Sequence, residues 1–163
     1  MFKVLLIATL LMVSTSSSAA EEGQPAPEFE ADLVGGGKYK FTPEEHHVVV
    51  FHFWASWCKA CLIEMPALND FYLKHRSEGL NVVAINMNEA KDENKVREQM
   101  KKYSFPWAFA KEATYKKYGR IWHLPMTFVI DRKGILKKED WKTDKPLDTK
   151  SFEDVVSPLL KTQ

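Results

Sequence analysis

The sequence predicts an α/β domain: a central mixed β-sheet with helices on both faces, entered through a β-hairpin. Three observations predict it. Two near-continuous runs of β-branched and aromatic residues, 46–54 and 79–87, have the composition of strands buried on both faces. A segment with helical spacing lies between them, giving a β–α–β order. Two further apolar runs flank Asp131-Arg132-Lys133-Gly134, the layout of a second hairpin. At 163 residues, 45% apolar and 28% charged, the chain has the size and make-up of one globular domain.

The elements follow in order. Pro25 and Pro27 mark an extended entry, and the glycines at 35–37 join two short alternating runs into the first hairpin. The strand of 46–54 comes next. From Cys58 the period changes: Ala60, Ile63, Ala67 and Phe71, with Leu62, Met65, Leu68 and Tyr72, keep helical spacing to about His75. Pro66 falls inside this pattern, so a kink is expected there. After the strand of 79–87, residues 91–102 are polar apart from Val96 and Met100, a surface helix. "FPWAFA" reads as a short strand and "EATYKKYG" as a short helix stopped by Gly119. Thr127–Ile130 begins the second hairpin. A last helix spans about Thr149–Leu160, with Pro158 leaving its final turn open. The helix and short strand between the two halves form a central α/β insertion.

The first twenty residues stand apart. Lys3 precedes an apolar run, Val4–Val13, and then a Ser/Ala stretch with Ser18 and Ala20 at small-residue positions. This is the layout of a secretory signal peptide, residues 1–20, cleaved before Glu21 and leaving a domain of 21–163. Ten apolar residues are too short for a membrane span, which takes about 20. The expectation is an exported, periplasmic-type protein, released from the membrane and monomeric. Cleavage removes only Lys3 among charged residues, leaving 22 basic and 22 acidic side chains. Such a balance gives no support to nucleic-acid or membrane-surface binding.

Cys58 and Cys61 are the only two cysteines, and they stand three apart. Chance gives that spacing in about one chain in eighty, so the pair calls for a chemical reading. A redox dithiol, half a metal site and a structural staple are the candidates. A bridge over so small a loop constrains the unfolded chain little, which weakens the staple. A closed zinc site needs two further ligands, and no second cysteine pair exists. For a dithiol the placement is apt. A buried strand runs into a helix that starts at Cys58, where free N–H groups and the positive end of the dipole favour a thiolate. Lys59 adds a cation. Cys58 is the expected nucleophile, with a lowered pKa, and Cys61, one turn deeper, the resolving cysteine. No other cofactor is expected.

"FHFWASWCKACLIEMP" resembles the active-site segment of thioredoxin-fold proteins, in particular the exported TlpA/ResA/CcmG (DsbE)-like thiol-disulfide oxidoreductases. "GQPAPEFEADLVGGGKYKF" is similar to that family's entry and hairpin, residues 80–105 to its central insertion, and "YGRIWHLPMTFVIDRKGIL" to its cis-proline strand and hairpin. The resemblance covers about Gly23–Leu160. It implies that Pro125 is cis and lies against the cysteines, the alternative being a trans edge-strand proline. It implies that the backbone of Leu124 pairs with an extended substrate, with Trp57 flanking the site. It places Glu64 near the buried cysteine as a proton carrier. Spacing agrees, since Cys58, Cys61 and Glu64 share a helix face; the alternative is an exposed helical glutamate. Further implications are clients with disulfides, apocytochrome c or copper-site proteins among them, and a membrane electron donor of the DsbD/CcdA type.

The departures from the family matter too. His52 stands where thioredoxins carry an aspartate six residues before the nucleophile. It reads either as a buried base tuning Cys61 or as a core histidine satisfied by its neighbours. Ala60 replaces a frequent proline, so the reduction potential does not carry over. A peroxidase of this fold needs Thr or Ser at the position of Ala55. His46-His47 are weak candidates for metal ligands with the thiols, since the copper-delivery relatives of this fold space their cysteines more widely, and no metal site is expected; His123 and Trp122 precede the cis-proline and are candidates to line the substrate groove, the alternative for Trp122 being core packing. Rival functions are a disulfide oxidase or isomerase and a thiol-based metal chaperone.

Overall fold

The computed structural model describes residues 20–141 and 143–162. The expected signal segment therefore lies outside the described residues, apart from Ala20. A two-stranded antiparallel hairpin, β1 (Phe29–Asp32) with β2 (Lys38–Phe41), precedes a five-stranded sheet. The sheet runs β5 (Trp107–Phe109), β4 (Leu80–Asn86), β3 (Val48–Trp54), β6 (Met126–Ile130), β7 (Leu136–Lys138). β3–β4 and β4–β5 are parallel; β3–β6 and β6–β7 are antiparallel. The sheet is mixed, as expected.

β3 is the central strand, and all seven of its residues are buried. The pleat sends Val48, Val50 and Trp54 to one face and Val49, Phe51 and Phe53 to the other. On the first face lie α1 (Lys59–His75), α2 (Glu93–Met100), α3 (Thr149–Val155) and α4 (Ser157–Lys161), through Met65, Leu68, Phe71, Val96, Phe152 and Leu160. The second face is covered differently. The hairpin supplies Phe29 and Phe41, and the segment 110–118 supplies Tyr118, whose hydroxyl donates to Pro27 O at 2.6 Å. Residues 112–119 were expected to be a short helix. The segment forms two 3-10 turns, 110–112 and 116–118, the second ending at Gly119 with φ +94°. Among the described residues, helical cover on this face is therefore limited to single turns. Aromatic packing around Phe51 makes up for it, with Phe29 and Tyr118 at 4.3 and 5.4 Å between ring centres.

The entry segment binds the far edge of the sheet. Gly23 N–H donates to Leu136 O at 2.8 Å, Leu136 N–H to Gln24 O at 2.9 Å and Ala26 N–H to Gly134 O at 2.8 Å, so this edge is not left open. Gly134 closes the 131–134 turn with φ +73°; a Cβ there would stand 2.5 Å from Pro43. α1 continues through Pro66 without a break. The C-terminal helix expected over 149–160 is instead two. Val156 N–H still reaches Phe152 O at 2.8 Å, but Pro158 has no N–H to continue the ladder, and it sits in the first turn of α4.

Arg132 ties three chain ends together. Its guanidinium donates to His46 O at 3.1 Å, Glu78 O at 2.5 Å and Leu160 O at 3.1 Å. These carbonyls belong to the approach to β3, the end of the α1 region and the C-terminus. Arg132→Ala leaves all three without this donor and is expected to lower unfolding stability by about 2 kcal/mol. The urea midpoint of the oxidised protein measures it, and an unchanged midpoint would show the clamp to be idle.

Candidate active site

β3 ends at Trp54 and the chain turns through Ala55-Ser56-Trp57 into α1. A polar strap holds this turn from the loop after β4. Ser56 N–H donates to Asn88 Oδ1 at 2.7 Å, Asn88 Nδ2 donates to Ser56 Oγ at 2.9 Å, and Met87 N–H donates to Trp54 O at 2.8 Å. Asn86, fully buried, holds Asn88 in turn. Sequence reasoning missed Asn88. The available signal was a pair of asparagines at the carboxyl end of a parallel strand, where α/β sheets place their sites.

Cys58 is the N-cap of α1, which begins one residue later than expected. Its Sγ accepts the N–H of Cys61 at 3.2 Å. The two cysteines form a disulfide with Cα atoms 5.3 Å apart. Cys61 is fully buried, whereas Cys58 keeps 6% of its surface and Trp57 beside it is two-thirds exposed. Both cysteines are buried, and Cys58 is the less deeply buried of the two. The helix-start N–H that reaches Cys58 Sγ is a donor that would stabilise a thiolate there.

The Leu124-Pro125 bond is cis. Phe53 pairs with Met126 in the β3–β6 ladder, so Pro125 lies one step beyond, alongside the exit of β3. Pro125 and Leu124 share an open cleft of about 270 Å³ with Ala60, Glu64 and Pro146. The proline expected to be cis is cis, and it borders the Cys58–Cys61 turn through Ala60.

Glu64 is buried, not an exposed helical glutamate. Its Oε1 accepts Leu147 N–H at 2.9 Å, which straps the segment 143–147 over α1. Oε2 is buried without a hydrogen-bond partner among the described residues. Burial pushes the Glu64 carboxyl up to about 7, offset in part by the Leu147 N–H. His52 is fully buried on the α1 face of β3, and its Nδ1 lies 2.9 Å from Thr127 Oγ1 on β6. Burial lowers its pKa to about 4, so the ring is neutral at pH 7. Thr127 belongs to the Leu-Pro-x-Thr motif, yet nothing local in the sequence showed its pairing with His52, 75 positions away.

His46 and His47 do not join this site. They precede β3, whose seven residues separate them from the cysteine turn by about 20 Å. His46 Nδ1 is 3.3 Å from Arg132 O instead. Among the described residues no group of three or more His, Cys, Asp or Glu side chains is placed to hold a metal ion.

The AhpC/TSA family profile matches residues 22–139. The chain belongs to the AhpC/TSA family. Thioredoxin-like protein YneN of Bacillus subtilis is 34% identical over 120 residues, covering 72% of this chain and 69% of that protein. Thiol-disulfide oxidoreductase ResA of Bacillus thuringiensis subsp. konkukian is 33% identical over 128 residues, covering 77% and 72%. Among solved structures, a thioredoxin-family thiol:disulfide interchange protein of Chlorobium tepidum superposes with a TM-score of 0.71 at 24% identity, covering 87% of this chain and 99% of that one. StoA of Bacillus subtilis gives 0.62 at 24%, covering 80% and 96%. The fold is the thioredoxin fold, with an N-terminal hairpin and the α2–β5 insertion. In this AhpC/TSA member the position of Ala55, buried before the cysteines, carries no hydroxyl.

The buried carboxyl has a consequence for stability. Its pKa is about 4.5 in the unfolded chain and about 7 folded, so the native state binds the extra proton between these values. The Glu64 contribution is whole below pH 4.5 and is lost as pH rises through 7. Glu64→Gln, which keeps the acceptor for Leu147 N–H, is expected to gain on the wild type over pH 4.5–7, by on the order of 2 kcal/mol, and to hold that lead above pH 7. Urea midpoints of the two oxidised proteins across pH 4–9 measure the difference; a difference that does not change with pH contradicts it.

Proposed function

We propose that the protein is an exported thiol-disulfide oxidoreductase running as a reductase, with Cys58 and Cys61 as its working pair. The observation that carries this reading is the disulfide at the start of α1, its first cysteine less deeply buried than its second, in a chain with a cis-proline at the facing end of β6. The resemblance to ResA-type relatives supports it.

The reduced pair would work in two steps. The Cys58 thiolate attacks one sulfur of a client disulfide; that S–S bond breaks, a mixed disulfide forms and the client's other sulfur leaves and takes a proton. Cys61, losing its proton, then attacks Cys58 Sγ and releases the client as a dithiol. Two electrons have passed to the client, and the enzyme is left in the form described here. Glu64, with a carboxyl near 7, is suited to accept the Cys61 proton and return it. His52 is a second candidate for proton relay. Its full burial and its bond to Thr127 support equally the role of a neutral core group that holds the cis-proline strand to β3. Leu124, Pro125 and Trp57 form the client-facing rim.

Recharging the disulfide takes a donor from outside the oxidising compartment, a membrane protein of the DsbD/CcdA type. The clients are exported proteins with disulfides, with apocytochrome c a candidate. Export itself rests on the signal-like residues 1–20. Among the described residues no helix is long and apolar enough to cross a membrane. The same residues would serve an oxidase or isomerase, and equilibration with glutathione separates these: a reductase stays oxidised where a strong oxidant stays reduced. The distance of His46-His47 from the thiols tells against a metal chaperone built on both.

Cys61→Ser is expected to accumulate a mixed disulfide with client protein, and Cys58→Ser to accumulate none. In the reduced wild type, the Cys58 thiol is expected to ionise well below the free-cysteine value of about 8.5. Iodoacetamide alkylation against pH and non-reducing gels measure both. Trapping by Cys58→Ser alone would reverse the assignment, and an ordinary thiol pKa without disulfide turnover would end it.

A further inference from the structure

Asn88 commits its whole side chain to other residues. Its Oδ1 accepts Ser56 N–H at 2.7 Å and Asn86 Nδ2 at 3.0 Å. Its Nδ2 donates to Ser56 Oγ at 2.9 Å and to Asp92 Oδ2 at 3.2 Å. An amide offers two acceptor sites and two donors, so no capacity is left over. The neighbours also fix which way the amide faces. Ser56 N–H can only donate and the Asp92 carboxylate can only accept, so Oδ1 faces the first and Nδ2 the second. Side chains of similar shape do not reproduce this set: an aspartate has no donor, and a leucine has neither donor nor acceptor.

What Asn88 holds is the turn before the nucleophile. Cys58 N–H closes this turn on Ala55 O at 3.0 Å. Ser56 lies inside it, is 6% exposed, and finds the partner for its N–H in Asn88 rather than in the turn. A buried N–H without a partner is costly, so a turn deprived of Asn88 opens toward water. Cys58 follows two residues later. Its extended backbone angles, φ −81° and ψ 100°, bring its Sγ to the N–H of Cys61. A turn that shifts changes those angles, and the sulfur loses a donor that favours the thiolate.

The outer end of this strap lies in the insertion. Asp92 is the N-cap residue of α2, and aspartate is among the best capping residues, yet its side chain makes no capping bond. Its carboxylate is turned to Asn88 instead. A local preference set aside for a distant contact marks a place where the fold serves a site. α2 gives the strap a firm base. Val96 and Met100 are buried in the core of the α1 face, and Arg97 and Lys111 lie 5.2 and 5.6 Å from the centre of the Phe109 ring on β5. Bonds in a row also reinforce one another. Donating to a carboxylate polarises the Asn88 amide and makes its Oδ1 a stronger acceptor for Ser56 N–H.

We propose that Asn88 is a positioning residue of the exchange reaction, holding the turn 55–57 so that Cys58 Sγ stays over the first N–H groups of α1, and that Asp92 ties this hold to the insertion. The proposal rests on the exchange function above. Both residues act through the turn and not on the sulfurs themselves. The insertion thereby sets how readily Cys58 reacts.

The test compares the reduced full-length wild type with Asn88→Ala, Asp92→Ala and Asp92→Asn in the rate of iodoacetamide alkylation at Cys58 against pH. Turnover of hydroxyethyl disulfide is followed alongside. In Asn88→Ala the alkylation midpoint is expected to rise by about one pH unit toward the free-cysteine value of about 8.5, and the rate on the acid side of both midpoints to fall about tenfold. On the alkaline side the two rates should converge, since both thiols are then ionised. Asp92→Ala should shift the profile the same way but less, by about threefold in rate, whereas loss of the Asp92 charge alone would shift it the other way. Asp92→Asn keeps an acceptor for Asn88 Nδ2 and should recover most of that loss. A residue that only stabilised the fold would lower the urea midpoint and leave the profile in place. An Asn88→Ala profile that superimposes on the wild type overturns the proposal; should that variant not fold, an unmoved profile in Asp92→Ala overturns it. Absence of disulfide turnover in the wild type defeats the exchange function by itself, and the alkylation profiles still decide the place of Asn88.

Discussion

The structure depends on the burial of β3 between a parallel and an antiparallel neighbour. β4 on one side and β6 on the other leave no edge free, and both faces are packed, so the strand has one register. Its carboxyl end is where the loop after β4, the cis-proline before β6 and the start of α1 all arrive. Slipping the strand by one residue would exchange Trp54 for Phe53 on the α1 face and move Cys58 off the helix start. The position of the sulfurs is therefore set by the core, while their chemistry is set by the first turn of a helix.

That core carries two polar groups which burial shifts in opposite senses. Glu64 is held toward its neutral form and His52 toward its neutral form, one by raising a pKa and the other by lowering it. Neither brings a permanent charge into the α1 face near neutral pH. The difference between them is margin. A carboxyl near 7 can gain or lose a proton under ordinary conditions, whereas an imidazole near 4 stays as it is. This margin separates a group whose charge can change near neutral pH from one that stays neutral there.

What was legible in the sequence was whatever repeats along a strand or a helix. The apolar runs gave β3 and β4, and the spacing of Ala60, Met65 and Leu68 gave α1. The cysteine pair needed no fold at all, and the resemblance around Leu124-Pro125 pointed to the cis bond. The failures share a cause. The segment 110–118 carries helical-looking lysines and tyrosines, but Tyr118 is committed to the core and to Pro27 O, and the chain closes only single turns. The break at Val156 comes from one missing N–H. Asn88, Leu147, Thr127 and Asp140 act on the site through partners 17 to 83 positions away, and no local pattern encodes such pairings.

The Glu64–Leu147 bond shows how this site can titrate without coming apart. A carboxylate accepting a backbone N–H makes a charge-assisted bond, and a neutral carboxyl still offers its carbonyl oxygen to the same donor, at roughly half the strength. Because Leu147 is itself buried, the strap of 143–147 has apolar packing to hold it when the bond weakens. The proton has a natural place on Oε2, the oxygen that makes no bond to the strap. Loss and gain of a proton at Glu64 then alter the charge one helical turn beyond Cys61, in the groove that also holds Ala60, Leu124 and Pro125. A carboxyl with both oxygens bonded to backbone N–H groups would have been driven down in pKa and locked as an anion. Burial is what leaves Glu64 near neutrality, and the single bond keeps it in place.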